Sequence, residues 1–170
     1  KAFAIRRRGT PNWGVFLNEY EQGGGPLIDI GTHSLDLTMY LMNNFKPRMV
    51  VGTSYKKVEH AECGNPWGGW KPDENTTLED GAFGFIVMEN GATITLDATW
   101  ALNTSEPIQE GSTQLCGSKS GAQIKNNVVT LNKGEFGRLV DIKPELGAGG
   151  VAFFDGTNET PPMTEQRRWL

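Results

Sequence analysis

"EQGGGPLIDIGTHSLDLTMYLMNN", Glu21 to Asn44, is the stretch whose reading decides the fold. Three glycines and a proline lead into an apolar run long enough for four or more helical turns. Pro26 suits the first helical position, where its missing N–H would have no intrahelical partner anyway. Asn43, Asn44 and Pro47 mark the end of the run. Inside it sit Asp29, His33 and Asp36, two acids and a histidine where burial is expected.

At about 100° per residue, Asp29, His33, Asp36 and Tyr40 project into one arc of about 60°. Ile28, Leu35, Met39 and Met42 flank this line on one side, and Ile30, Leu37 and Leu41 on the other. The far side carries Gly31, Ser34 and Thr38, small enough for close approach to a sheet or a second helix. A partly solvated helix edge is the bland reading. Against it, the line lacks Lys, Glu, Arg and Gln, the usual fillers of a solvent face. Polar groups flanked so closely by apolar ones are expected to be partly buried and to need partners.

Asp29 and His33 are i, i+4 neighbours, so the carboxylate can lean against the imidazole, fix its tautomer and raise its basicity. An oriented histidine in a cleft is a candidate general acid/base. Gly23, Gly24 and Gly25 have two readings: a sharp entry into the helix, or room for a ligand beside its free amides. Asp29, His33 and Asp36 are also spaced to converge on one cation. A site on a single helix would need further ligands, and His60 and Cys63 in a glycine-rich loop are weak ones, so no metal is expected.

Outward from the helix the pattern is mainly β. Lys1–Arg8 alternates weakly and reads as a strand, and 9–14 as a loop. Residues 15–22 read as a short helical or extended piece, and Arg48–Glu59 as a strand. His60–Thr77 is a long loop rich in Gly, Pro and Trp. Two β-rich runs flank Asn90-Gly91, a strong hairpin signal that predicts a type I′ turn. Further short strands are expected in 112–134, joined at 118–121 and 126–127. One early helix followed by antiparallel-looking strands predicts an α+β fold: an open, mostly antiparallel sheet with the helix packed on one face. No β-α-β-α alternation and no Gly-x-Gly-x-x-Gly between strand and helix is present, so no dinucleotide-binding fold is expected within this chain.

Bulk properties bound the function. The chain has 170 residues, enough for one domain with a real core. A net charge of -4 points to neither nucleic acid nor an anionic membrane as partner. No apolar run approaches the roughly 18 residues of a bilayer span. Two distant cysteines, Cys63 and Cys116, make no disulfide framework and fit a cytoplasmic setting.

At the helix the sequence resembles a known family. "GGGPLIDIGTHSLDL" is similar to the segment that opens the C-terminal domain of the glucose–fructose oxidoreductase / inositol dehydrogenase / MocA-like family, with Asp29, Gly31, His33 and Asp36 at the positions of its Asp-x-Gly-x-His-x-x-Asp pattern. "LEDGAFGFIVMENGATITLDATWA" resembles the family's hairpin, whose second strand ends in a Trp, and "CGSKSGAQI" its Gly-x-x-Gly strand connection. "RRRGTPNWGVF" looks like the segment preceding the helix in one branch of the family. The resemblance is strongest from Arg6 to Ala101.

The resemblance implies a role for the whole of 1–170: the C-terminal substrate-binding and oligomerisation domain, clipped at both ends, of an NAD(P)-dependent oxidoreductase. NAD or NADP would be held by a missing N-terminal Rossmann domain, so no cofactor is expected on this chain alone. The substrate would be a sugar, polyol or cyclitol-like hydroxyl. His33 would act as acid/base, with Asp29 orienting it or binding substrate. The mostly antiparallel sheet commonly builds dimers or tetramers, which implies a homo-oligomer through the sheet face. From the residues alone, Arg6 and Arg8, on one side of a strand, read first as a solvated basic edge and otherwise as anchors for an acidic or phosphorylated group of substrate or cofactor. Trp13, with Trp67 and Trp70, is a candidate stacking surface for a sugar ring or an oligomer contact, and equally a plug for the domain's own edges, and Asp36 is a supporting polar residue. Trp100 reads as a sheet-face residue that could meet another subunit. Two rivals remain: a non-catalytic assembly module of the same family, and a metal-dependent hydrolase or lyase built on Asp29, His33 and Asp36.

Overall fold

The structure is a computed structural model and describes residues 1–7, 9–11, 13–56, 77–100, 112–125 and 128–145. Eight strands form one sheet: β1 (Ala2–Arg7), β2 (Pro47–Tyr55), β3 (Gly81–Met88), β4 (Thr93–Thr99), β5 (Ser112–Cys116), β6 (Ser120–Lys125), β7 (Val128–Glu135) and β8 (Arg138–Ile142). Their order is β2-β3-β4-β1-β5-β6-β7-β8. All neighbours are antiparallel except β1 and β4, which run parallel from Ala2 opposite Ile94 to Arg7 opposite Thr99. The expected architecture is present, with the N-terminal strand inserted at the centre of the sheet.

Period-2 alternation decides the two faces. Ala2 and Ala4 of β1, Ile86 and Met88 of β3, and Ile94 and Leu96 of β4 form a buried cluster on one face. Across it lies helix α2 (Thr32–Met42), antiparallel to β1, contributing Leu35, Met39 and Met42. The alanines of β1 are small enough for the helix to come close. Ser34 and Thr38 are buried against the sheet, and their hydroxyls donate to the carbonyls of Gly31 (3.1 Å) and Ser34 (2.7 Å). No polar atom of theirs is left unpaired by that burial. A second cluster, Ile30, Leu78, Ala98 and Trp100, with Phe16 against it, closes the other end of the helix.

The entry into α2 explains the three glycines structurally. Asn18 caps the four-residue helix α1 (Glu19–Gln22) through its side-chain oxygen, and Gly23 ends it at φ 83°. A Cβ on Gly25 would lie 2.1 Å from the Glu79 carbonyl oxygen, so only glycine passes there. Between Pro26 and α2 the chain makes a π-helical turn, Leu27–Gly31, in which the Thr32 N–H donates to the Leu27 carbonyl. At the far end Asn43 adopts a left-handed cap at φ 48°.

Two turns differ from expectation. Asn90-Gly91 does sit between β3 and β4, but only Gly91 has positive φ (81°), and its N–H donates to Met88 O. The loop is three residues long, a turn followed by one left-handed glycine, rather than the two-residue type I′. By contrast, β7 and β8 are joined by Phe136 (φ 52°) and Gly137 (φ 72°), both left-handed, as a two-residue hairpin requires. β8 and this turn carry no sequence signal, since Phe is not a turn former.

Candidate active site

The π turn, the start of α2 and the C-terminal ends of β1 and β4 lie together. A π turn spends one more residue per hydrogen bond than an α turn. The 100° projection therefore fails for Asp29, and the line read from the sequence divides. His33, Asp36 and Tyr40 (55% exposed) face solvent on α2, whereas Asp29 is half-buried. The expected burial of the whole line is corrected: within this chain α2 buries Ser34 and Thr38 instead, and nothing described lies over its polar edge. Leu37 and Leu41, on one flank of the line, are themselves 39% and 40% exposed.

Asp29 has a partner that the sequence reading did not assign. Trp100 Nε1 donates to Asp29 Oδ2 at 2.9 Å, across 71 residues of chain. Trp100 is 3% exposed and belongs to the second core cluster. Its expected place as a sheet-face residue at a subunit contact is thus corrected: it follows the last residue of β4 and turns into the core beneath the π turn. No hydrogen bond or ion pair joins Asp29 to His33 among the described residues. The expected lean of carboxylate on imidazole is replaced by an indole bond, because the wider turn swings Asp29 toward the sheet.

The other candidates scatter. Arg6 shares the helix-bearing face with its register partner Ala98, and its Nε is buried with no hydrogen-bond partner among the described residues. Trp13 is 49% exposed and meets Phe16 edge-on, with centroids 5.8 Å apart. Phe16 in turn packs on the cluster that holds Trp100. Arg8, Trp67, Trp70, His60 and Cys63 lie outside the described residues. Among the described residues no three His, Cys, Asp or Glu side chains gather to hold a metal ion, so Asp29, His33 and Asp36 do not converge on one cation. No helix of the described residues is long and apolar enough to cross a membrane.

Trp100 is the functional candidate that residue-by-residue reasoning missed. Its signal was the Trp closing the second strand of the hairpin, seven residues after Thr93 opens it, but nothing local told which face it would take.

Chemically, the arrangement offers a fixed carboxylate at the base of a helix and an accessible imidazole one turn on. Of the three glycines at the helix entry, Gly24 lies against Ile28 and Gly25 against Glu79.

Comparison with known proteins gives the family. The GFO/IDH/MocA C-terminal domain matches residues 2–123. D-glucoside 3-dehydrogenase of Escherichia coli (strain K12) is 39% identical over 140 residues, covering 82% of this chain and 39% of that protein. The chain therefore spans well under half the length of this relative. Aldose-aldose oxidoreductase from Caulobacter crescentus, complexed with glycerol, superposes with a TM-score of 0.63 at 18% identity, over 86% of this chain and 40% of its own. Levoglucosan dehydrogenase in complex with NADH and L-sorbose gives 0.63 at 14% identity, over 86% and 38%. At such identities the structures speak for the fold, and the profile match with the enzyme relative speaks for the family: this chain belongs to the GFO/IDH/MocA oxidoreductases, as their C-terminal domain.

Proposed function

We propose that the whole protein is an NAD(P)-dependent dehydrogenase acting on a hydroxyl of a sugar, polyol or cyclitol, in a cytoplasmic setting, and that 1–170 is its substrate-binding and assembly domain. The observation that carries this reading is the division of the helix. His33 stands accessible on α2, one turn from a carboxylate held at the edge of the core. The 39% identical relative is named for oxidation of a D-glucoside, and a solved neighbour is complexed with NADH and L-sorbose.

In this reading His33 takes the hydroxyl proton of the substrate, and Asp29 binds a neighbouring polar group. Arg6 anchors an acidic group, Asp36 supports the polar edge, and Trp13 offers a face for a sugar ring. Arg8 belongs to the same proposed set. The nicotinamide cofactor, held by another domain of the whole protein, accepts the hydride. Within this domain, exposed polar residues on α2 suit an edge that another domain covers.

Replacing His33 with Ala in the full-length protein should lower kcat by about 10²–10⁴-fold, the usual worth of a positioned acid/base. Wild-type turnover in that variant would remove His33 from the chemistry. A second function stands beside catalysis. The face opposite α2 exposes Met49, Val51 and Phe85, and this favours assembly of like copies through the sheet.

A further inference from the structure

We infer that Trp100 is the positioning residue of this site: its indole N–H holds the Asp29 carboxylate in one orientation and so sets where substrate is bound relative to His33. The inference rests on the dehydrogenase reading above and adds to it a residue far from the helix motif.

Four observations carry it. The indole has a single donor, and a buried indole normally finds a partner for it. Here the partner is a carboxylate oxygen at 2.9 Å, within the range of a charge-assisted bond. The ring cannot wander: Ile30 (1% exposed), Leu78 (4%) and Ala98 (0%) cluster with it. Its backbone is tied as well, since the Trp100 N–H donates to Asp80 O at 3.0 Å and the Asp80 N–H to Tyr55 O at 2.8 Å.

The helix is shaped to meet this ring. A Cβ on Gly31 would lie 2.9 Å from the Ala98 Cβ, so glycine lets the π turn settle on β4 and brings Asp29 within reach. The π turn then rotates Asp29 off the solvent line that His33 and Asp36 keep. A carboxylate that merely needed solvation had water available on that line. Instead its Oδ2 is occupied by a rigid donor, and Oδ1 is the oxygen that faces the ligand in this proposal. A 1 Å displacement of a group that positions substrate is enough to cost about 100-fold in rate.

The test uses the full-length enzyme and three variants, Trp100→Phe, Asp29→Ala and the double substitution, with sugar or polyol oxidation followed by NAD(P)H formation. Trp100→Phe keeps the ring bulk and removes the donor. It should lower kcat about 10–100-fold while leaving KM within about threefold. In the Asp29→Ala background the same substitution should cost nothing further, because Trp100 acts through Asp29. An equal loss in both backgrounds would show a role in packing alone and would overturn the inference, as would wild-type kcat in Trp100→Phe.

A second measurement needs no turnover. The indole N–H resonance that disappears in Trp100→Phe should shift in Asp29→Ala, and an unmoved resonance also overturns the inference. Failure of the parent reading looks different: a wild-type enzyme that oxidises no sugar or polyol with either nicotinamide, in which case the positioning role falls with it.

Discussion

Thr38 Oγ1 on the helix and Thr113 Oγ1 on β5 lie 3.1 Å apart, both buried. The Thr38 hydroxyl already donates to Ser34 O, so Thr113 is the donor between them. This bond pins α2 to the sheet on the helix face that carries the buried Ser34 and Thr38. Thr38→Val keeps the shape but leaves the Thr113 hydroxyl buried without a partner, and should destabilise the protein by about 1–3 kcal/mol. Replacing both threonines by valine removes the unsatisfied group and should recover most of that loss. Urea unfolding of the single and double variants measures both effects.

On the opposite face Arg7 meets Asp97, with Nε at 3.1 Å and Nη2 at 2.5 Å from Oδ2. Thr99 Oγ1 donates to the other oxygen at 2.9 Å. The side chains are 27% and 12% exposed, so the pair is only partly screened. Asp97→Ala removes all three bonds at once and should lower stability by about 1.5–3 kcal/mol. Arg7→Lys should recover less than half of the pairing measured in a double-mutant cycle, because one ammonium cannot copy the two-pronged contact.

Phe136 turns the β7–β8 hairpin at φ 52° with its ring 99% exposed. A left-handed backbone costs a bulky residue about 1–2 kcal/mol, and Asn bears it far better. Among the described residues no burial offsets that cost. Phe136→Asn should therefore raise stability by about 0.5–1 kcal/mol, read as an increase in Tm. A lower Tm would mean that the ring has a contact beyond the described residues.

These cases show why some of the molecule was legible in its sequence. Helix 27–42 was, because Pro26, the stop at Asn43 and Asn44 and the apolar spacing agree over four turns. Its phase at Asp29 was not, since one π turn resets every angle before it and that turn sits against a residue distant in sequence, with Gly31 close on Ala98. The position of the β3–β4 hairpin follows from Asn90-Gly91. Its turn type follows from loop length, which is a property of the register between Val87 and Thr93. The central, parallel place of β1 is a non-local pairing that alternation within six residues cannot report. For the proposed site, residue type and spacing are what single out His33 and Asp29 as candidates. Trp100 was not, because its partner lies 71 residues away.

Val51 and Phe85 are register partners on β2 and β3, 59% and 42% exposed on the face turned away from α2. Met49 (47%) continues the same apolar strip, and among the described residues no helix lies over it. An exposed strip of this kind on an edge pair of strands is a contact surface or an aggregation liability. Because both side chains are largely or partly in water already, Val51→Lys together with Phe85→Glu should change the stability of the isolated fold by no more than about 1 kcal/mol. The same pair of charges would be costly inside an apolar interface. In sedimentation the full-length wild type should run as a dimer or larger, and the double variant as a smaller species with an unchanged circular-dichroism spectrum. A wild type that sediments as a monomer at every concentration would mean that the strip does not join copies of this chain.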